Sequence, residues 1–258
     1  MLRKAIGIIP AAGHGTRLHP FRYPKELFPI GYVNGEGSSD LKLKVACQYV
    51  LDCLIKAGIY QAHVIVSDHK FEVLRFLADG EEYGLSLSYL YQREIKGLPF
   101  AIDCAYNWTK DSLSALVLPD TILEPYDCVY KSLLFLEESQ ADVVLGVFPT
   151  EHPERLCPVH FDKKGNVYKL YDKDASQSIM NTWGIAVWTP NFAEFLHQHV
   201  KKSSPLIGKE LVLAEVFNEA IVSGLKVNAI EIPKGKFWDI GTSSSLIKVR
   251  QAFEKHLS

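Results

Sequence analysis

Through the first two thirds of the chain, short apolar runs alternate with stretches of helical periodicity, and this rhythm limits the folds open to it. Ala5 to Ile9 reads as a buried strand. Val45 to Gly58 carries Val45, Ala46, Tyr49, Val50, Cys53, Leu54 and Ala57 at helical spacing and stops at a glycine. His63 to Val66 is a short β-branched run, Phe71 to Ala78 is helical, and Leu85 to Tyr91 alternates as a strand does. Pro99 to Trp108 reads as a helix with proline in its first turn. Leu113 to Leu118 is apolar except for Ser114, as a central parallel strand would be. Cys128 to Glu138 is helical, and Val143 to Phe148 is again a buried strand. The β-α-β order predicts an α/β fold, doubly wound, with a mostly parallel sheet and helices on both faces.

After Phe148 the order changes. Val159 to Asp162 and Val167 to Tyr171 flank Lys-Lys-Gly-Asn, a hairpin signal. Ile179 to Trp188 reads as a strand, Asn191 to His199 and Lys209 to Ser223 as helices, Lys226 to Ile232 as a strand and Ser243 to His256 as a final amphipathic helix. This part is expected to form a small antiparallel or mixed extension over the mouth of the sheet. Tyr32 to Leu41, rich in glycine and serine, is expected to be a surface loop.

Bulk properties narrow the function. At 258 residues and 47% apolar content, the chain can build the core of one large domain. Lys plus Arg number 28 against 30 for Asp plus Glu, and a net charge of -2 argues against a general nucleic-acid binder. The five cysteines include no C-x-x-C pair, which argues against a zinc site or disulfide framework and points to a reducing cytoplasm. The first apolar run is short and broken by Pro10, unlike a signal peptide, and no stretch is long enough to span a bilayer.

The first strand leads into Pro10-Ala11-Ala12-Gly13-His14-Gly15-Thr16-Arg17-Leu18-His19-Pro20, and the segment closes at Pro24-Lys25. Glycines let backbone N–H groups approach an anion, and the cations neutralise what the amides do not. A nucleoside triphosphate is the predicted ligand. A dinucleotide fingerprint needs a small residue where Leu18 stands, and a P-loop needs Lys-Ser or Lys-Thr after its second glycine. Neither fits. The remaining pattern, G-x-G-T-R-L-x-P followed by P-K-E-L-x-P-I, resembles the signature of the sugar-nucleotide pyrophosphorylases. These are nucleotidyltransferases that join a sugar 1-phosphate to an NTP. The connection is shorter here than is usual in that family, with Lys25 five positions after Pro20.

The resemblance runs from Ile6 to about Phe253 and implies a Rossmann-like nucleotidyltransferase fold in one domain over residues 1–258. Residues 1–150 would take the nucleotide and 151–258 the sugar phosphate. Ala11, Ala12, Gly13, Gly15 and Thr16 would cradle the triphosphate, with Arg17 and Lys25 as catalytic cations on the phosphates. Asp120 closes the strand Leu116-Val-Leu-Pro-Asp, where it could equally start a turn. Asp239 could equally cap the last helix. The family's motifs make both of them ligands of Mg²⁺, a hard ion usually held by one or two carboxylates plus phosphates. Gln92 and Gly97 would contact the base, favouring dTTP or UTP. Asp172 and Lys173 would bind the sugar and its phosphate, joined by Gly184 and by Trp183, which would stack on the sugar or else fill the core.

The implied activity is Mg²⁺-dependent synthesis of a sugar nucleotide with release of pyrophosphate, in the cytoplasm, as polysaccharide precursor supply. The implied partners are an NTP and a sugar 1-phosphate, with neither nucleic acid nor membrane; a homo-oligomer stays open. Cys157-Pro158 and Pro99-Phe100 depart from the family pattern. They keep open a non-sugar phosphate acceptor. A degenerate member that only binds sugar nucleotides is the third reading.

Overall fold

The computed structural model describes residues 4–15, 18, 23–34, 41–174, 178–203 and 210–254, with the side chain of residue 254 left aside. Its strands, in chain order, are β1 (Ala5–Pro10), β2 (Pro29–Asn34), β3 (Leu41–Val45), β4 (Gln61–Val66), β5 (Ser86–Tyr91), β6 (Leu113–Val117) and β7 (Thr121–Glu124). They continue with β8 (Val143–Pro149), β9 (Val159–Phe161), β10 (Val167–Leu170), β11 (Asn181–Trp188), β12 (Val227–Glu231) and β13 (Lys236–Asp239). The helices are α1 (Ala46–Lys56), α2 (Phe71–Leu77), α3 (Leu98–Asp103), α4 (Tyr106–Thr109), α5 (Cys128–Ser139), α6 (Pro190–Lys202), α7 (Leu213–Val222) and α8 (Ser243–Glu254).

A seven-stranded sheet in the order β12-β8-β11-β6-β1-β4-β5 forms the centre. β1 pairs in parallel with β4 and β6, β4 with β5, and β8 with β12. Only β11 is reversed, running antiparallel to both β6 and β8. The sheet is thus mostly parallel, as the sequence predicts. Of the part after Phe148, β11 and β12 complete the central sheet, while the small antiparallel pieces expected there are the β9–β10 hairpin and β13, which pairs with β7. A strand buried on both faces reads as a continuous apolar run whichever way it points, so its direction leaves no trace in the pattern.

One face packs on α1 and α5, through residues such as Val50, Leu54, Val129 and Leu133. The other packs on α3, α6 and α7, where Phe192 and Phe217 stack with ring centroids 5.3 Å apart. Both rings are fully buried, contributing about 1.5–3 kcal/mol each. The helix expected over Pro99 to Trp108 is split into α3 and α4, because Cys104 and Ala105 make tighter i→i−3 bonds to Ala101 and Ile102. The loop expected from Tyr32 is in part a two-stranded antiparallel ribbon of β2 and β3; residues 35–40 lie outside the described residues. A second ribbon, β7 with β13, joins distant parts of the chain.

Candidate active site

Because all strands of the sheet except β11 run the same way, their carboxyl ends share one edge, the usual ligand side of such sheets. The glycine loop leaves β1 there. Ala11 and Ala12 are buried, the Ala11 amide donates to the Ile65 carbonyl at 2.8 Å, and Ser67 Oγ donates to the Ala12 carbonyl at 2.8 Å. Gly13 is exposed, and Gly15 adopts φ +64°, a conformation glycine takes without strain. Thr16 and Arg17 lie outside the described residues.

Lys25 opens a 3₁₀ turn, Lys25–Leu27, set by Pro24. Its ammonium pairs with the Asp120 carboxylate, and both side chains are mostly shielded from water. The next residue, Glu26, meets Lys70 instead, at 2.7 Å, with the two side chains only 2% and 3% exposed. Burial pushes the Glu26 carboxyl above its ordinary range, and the Lys70 ammonium opposes that rise. Nothing in the sequence pattern marks this pair, since Lys and Glu are rarely found fully buried.

Asp120 and Asp239 come together through backbone pairing. In the β7–β13 ribbon Asp239 stands opposite Thr121, and the Ile240 amide donates to the Asp120 carbonyl at 3.2 Å. Asp239 Oδ1 accepts from the Gly241 amide at 2.9 Å. The cap of α8 belongs to Thr242, whose Oγ1 accepts from the Ser245 amide at 3.2 Å. Among the described residues no group of three or more His, Cys, Asp or Glu gathers. Two carboxylates of hard oxygen fit Mg²⁺, which takes its remaining ligands from water and phosphate.

Gly184 seats the ribbon. A Cβ there would lie 2.9 Å from the Phe237 ring and 3.1 Å from Leu123 and Phe148, so glycine lets β7 and β13 lie close over β11. Trp183 is a core residue. It is 8% exposed and meets Phe217 edge-on, with centroids 6.1 Å apart. Of the two roles expected for Trp183, this burial favours filling the core.

Just after β5, Gln92 is 4% exposed, and its Nε2 has no hydrogen-bond partner among the described residues. A buried donor left unmatched is costly, and a ligand carbonyl would relieve it. Gly97 takes φ +112° and begins α3, and a side chain there would run into the Leu211 backbone.

Asp239 also lines a cavity of about 1140 Å³, together with His152, Arg155, Lys173, Trp238 and Lys248. Asp172 and Lys173 are exposed after the β9–β10 hairpin. The Lys173 amide donates to the Leu156 carbonyl at 2.8 Å, and its backbone takes φ 51°, the left-handed region a bulky residue seldom occupies. Burial pushes the half-buried Cys157 thiol up to about 12, so it stays neutral and acts as a small packing residue.

Residues 6–256 match the family model for nucleotidyl transferases. The chain belongs to that family. A low-salt glycan biosynthesis nucleotidyltransferase, Agl11, from Haloferax volcanii is 24% identical over 250 residues, 95% of this chain and 65% of the relative. A glucose-1-phosphate thymidylyltransferase from Streptomyces antibioticus is 24% identical over 246 residues, again 95% of this chain and 65% of the relative. One from Mycolicibacterium smegmatis is 27% identical over 245 residues, 93% of this chain and 79% of the relative. The chain thus spans about two thirds of the length of the first two relatives, which are the longer ones. Among solved structures, a candidate glucose-1-phosphate thymidylyltransferase from Bacillus anthracis aligns with a TM-score of 0.81 at 20% identity, covering 96% of this chain and 95% of that one. A UDP-glucose pyrophosphorylase aligns at 0.80 and 18% identity, covering 98% and 99%. At these identities the two structures speak for the nucleotidyltransferase fold. Among the described residues, no helix is long and apolar enough to cross a membrane.

Proposed function

We propose that this nucleotidyl transferase joins a sugar 1-phosphate to a pyrimidine nucleoside triphosphate, dTTP or UTP, and releases pyrophosphate. The observation that carries the reading is that the β7–β13 ribbon brings the backbone of Asp239 beside Asp120, whose carboxylate pairs with Lys25. Asp239 and Lys173 line the same cavity. An oxygen of the sugar phosphate attacks the α-phosphorus; the new P–O bond forms as the α–β bridge breaks and pyrophosphate leaves. The nucleophile is already anionic, so no strong base is required. The barrier comes from bringing two anions together and from charge gathering on the leaving group, which positioned cations lower.

Gly13, Gly15 and Thr16 would present amides to the triphosphate, and Arg17 would meet the departing pyrophosphate. Lys25 would bridge phosphates near the reacting centre, and Lys173 would anchor the incoming phosphate. Asp120 and Asp239 would hold Mg²⁺, which when bound supplies charge neutralisation and a template for the phosphates. The orphan Gln92 Nε2 would donate to a carbonyl on the base, which favours uracil or thymine over adenine. The reading also makes residues 1–150 the main nucleotide part and 151–258 the main acceptor part, in a cytoplasmic enzyme that supplies polysaccharide precursors.

The test is pyrophosphate release from each NTP against a panel of hexose 1-phosphates, with the products identified by mass. dTTP or UTP with one hexose 1-phosphate should give the highest rate, EDTA should abolish it, and Mg²⁺ should restore it. No release with any pair would overturn the proposal. One observation favours a second reading, in which the acceptor is a non-sugar phosphate. Cys157 stands where the resemblance calls for a glycine amide on the sugar side, and amino-alcohol phosphates in the same panel separate the two.

A further inference from the structure

The turn that follows β4, Ser67-Asp68-His69-Lys70, belongs to none of the motifs that mark the family, yet its four consecutive side chains reach three parts of the site, the glycine loop twice. Ser67 Oγ donates to the Ala12 carbonyl of the glycine loop at 2.8 Å. Asp68 accepts from the Tyr91 hydroxyl at 2.5 Å, one residue before Gln92. The His69 ring lies 5.3 Å from the His14 ring. Lys70 Nζ donates to Glu26 at 2.7 Å, beside Lys25. The turn is itself closed by the Lys70 amide on the Ser67 carbonyl at 2.9 Å.

The Lys70–Glu26 pair is the part that asks for an explanation. An ion pair this buried adds little stability over a well-packed apolar pair of the same volume, while breaking it strands a charge. What it does supply is direction. In a 3₁₀ turn adjacent side chains diverge by about 120°. Glu26 lies within electrostatic reach of both Lys25 and Asp120, and with Lys70 bonded to Glu26 the Lys25 ammonium stands on Asp120.

We propose that the Ser67–Lys70 turn is a positioning element for the reaction, with Lys70 acting through Glu26 to set where Lys25 stands. It links the glycine loop, the lysine turn and the strand end before Gln92, so the triphosphate and base contacts are held in one frame. This rests on the reading of Lys25 as a phosphate contact.

The experiment uses the full chain carrying Glu26→Gln with Lys70→Met, which removes both charges and keeps the volumes close. Thermal unfolding checks that the fold survives. Steady-state pyrophosphate release gives kcat and KM. A brief pulse of acetic anhydride, read by mass spectrometry, gives the acylation rate of Lys25, with Lys173 as internal reference. The expected result is a near-native Tm, a kcat lowered by about ten- to a hundredfold as for a misplaced catalytic group, little change in either KM, and Lys25 acylation raised severalfold relative to Lys173. A pair that serves stability alone would leave kcat and Lys25 labelling at wild-type values once the Tm is recovered. Either unaltered turnover or unaltered Lys25 labelling in the folded variant overturns the proposal.

If the double variant does not fold, Glu26→Gln alone keeps an amide oxygen for Lys70. It should move kcat and Lys25 labelling in the same directions by a smaller factor, and wild-type values for either would again overturn the proposal. Absence of pyrophosphate release in the wild type would sink the functional reading instead, while the labelling arm still tests the placement of Lys25.

Discussion

The two sides of the active-site edge are built differently. On the side proposed to take the phosphates, Ala12, Glu26, Lys70 and Gln92 are nearly inaccessible, and short bonds tie the glycine loop and the lysine turn to the turn after β4. On the side proposed to take the acceptor, Asp172 and Lys173 are exposed, and Lys173 lines a cavity of about 1140 Å³. The contrast separates two demands. Charge stabilisation of a transition state needs groups that do not reorganise, so that side is locked before substrate arrives. Choosing an acceptor needs a surface that can differ from one relative to the next without disturbing the chemistry. Substitutions on the phosphate side should therefore act on kcat, and substitutions on the acceptor side on the KM of the acceptor.

The largest effect is expected from Asp239→Asn. Loss of one of the paired carboxylates should lower kcat by about a thousandfold, consistent with several kcal/mol of Lewis-acid stabilisation. Steady-state assays across a Mg²⁺ titration measure it, and a variant that turns over normally at ordinary Mg²⁺ would break the division between the sides. Arg17→Ala should cost kcat about a hundredfold or more, the usual loss for one transition-state donor; near-normal turnover would remove Arg17 from the pyrophosphate.

Lys173→Ala should sharpen the contrast. Loss of one charge-assisted contact, about 1.5–3 kcal/mol, should raise the acceptor KM by roughly one to two orders of magnitude and leave the KM for the NTP alone. A fall in kcat with both KM values unchanged would move Lys173 to the reacting centre. Gln92→Leu should narrow the preference for one base over another by about tenfold, read from kcat/KM for competing NTPs. The smallest effect is on stability. Gly184→Ala should cost about 1–3 kcal/mol by forcing Phe237 and Leu123 aside, which lowers Tm by about 2–4 °C for each kcal/mol lost. Calorimetry gives the value, and an unchanged Tm would show that the β7–β13 ribbon can shift freely over β11.

Much of this architecture is legible in the sequence. Buried strands such as Leu113–Val117 and Val143–Pro149 announce themselves by composition, and the glycine loop by spacing. Asp120 is visible as an acid at the end of an apolar run, and Asp239 through a family motif. Their meeting is not visible, because it depends on the register of β7 and β13, strands too far apart in sequence for any local signal. Pro29 and Gly31 interrupt the apolar pattern of β2, so the β2–β3 ribbon passes for a loop. Lys44, Lys70 and Glu26 are read by residue type as surface groups, yet each is buried against a partner that only the tertiary structure supplies. Trp183 shows the opposite limit: an aromatic residue in a binding motif can be buried, and the sequence does not tell which.

The left-handed backbone at Lys173 has a consequence for the chain's history under selection. A lysine at φ 51° sits in a conformation that glycine or asparagine would adopt at lower cost, by about 1 kcal/mol. A library of variants enriched only for heat resistance should therefore drift toward Gly at this position. The same library enriched for product formation should keep Lys. The position would then report, through the opposite outcomes of the two enrichments, that local comfort of the fold is given up there for work done on a substrate.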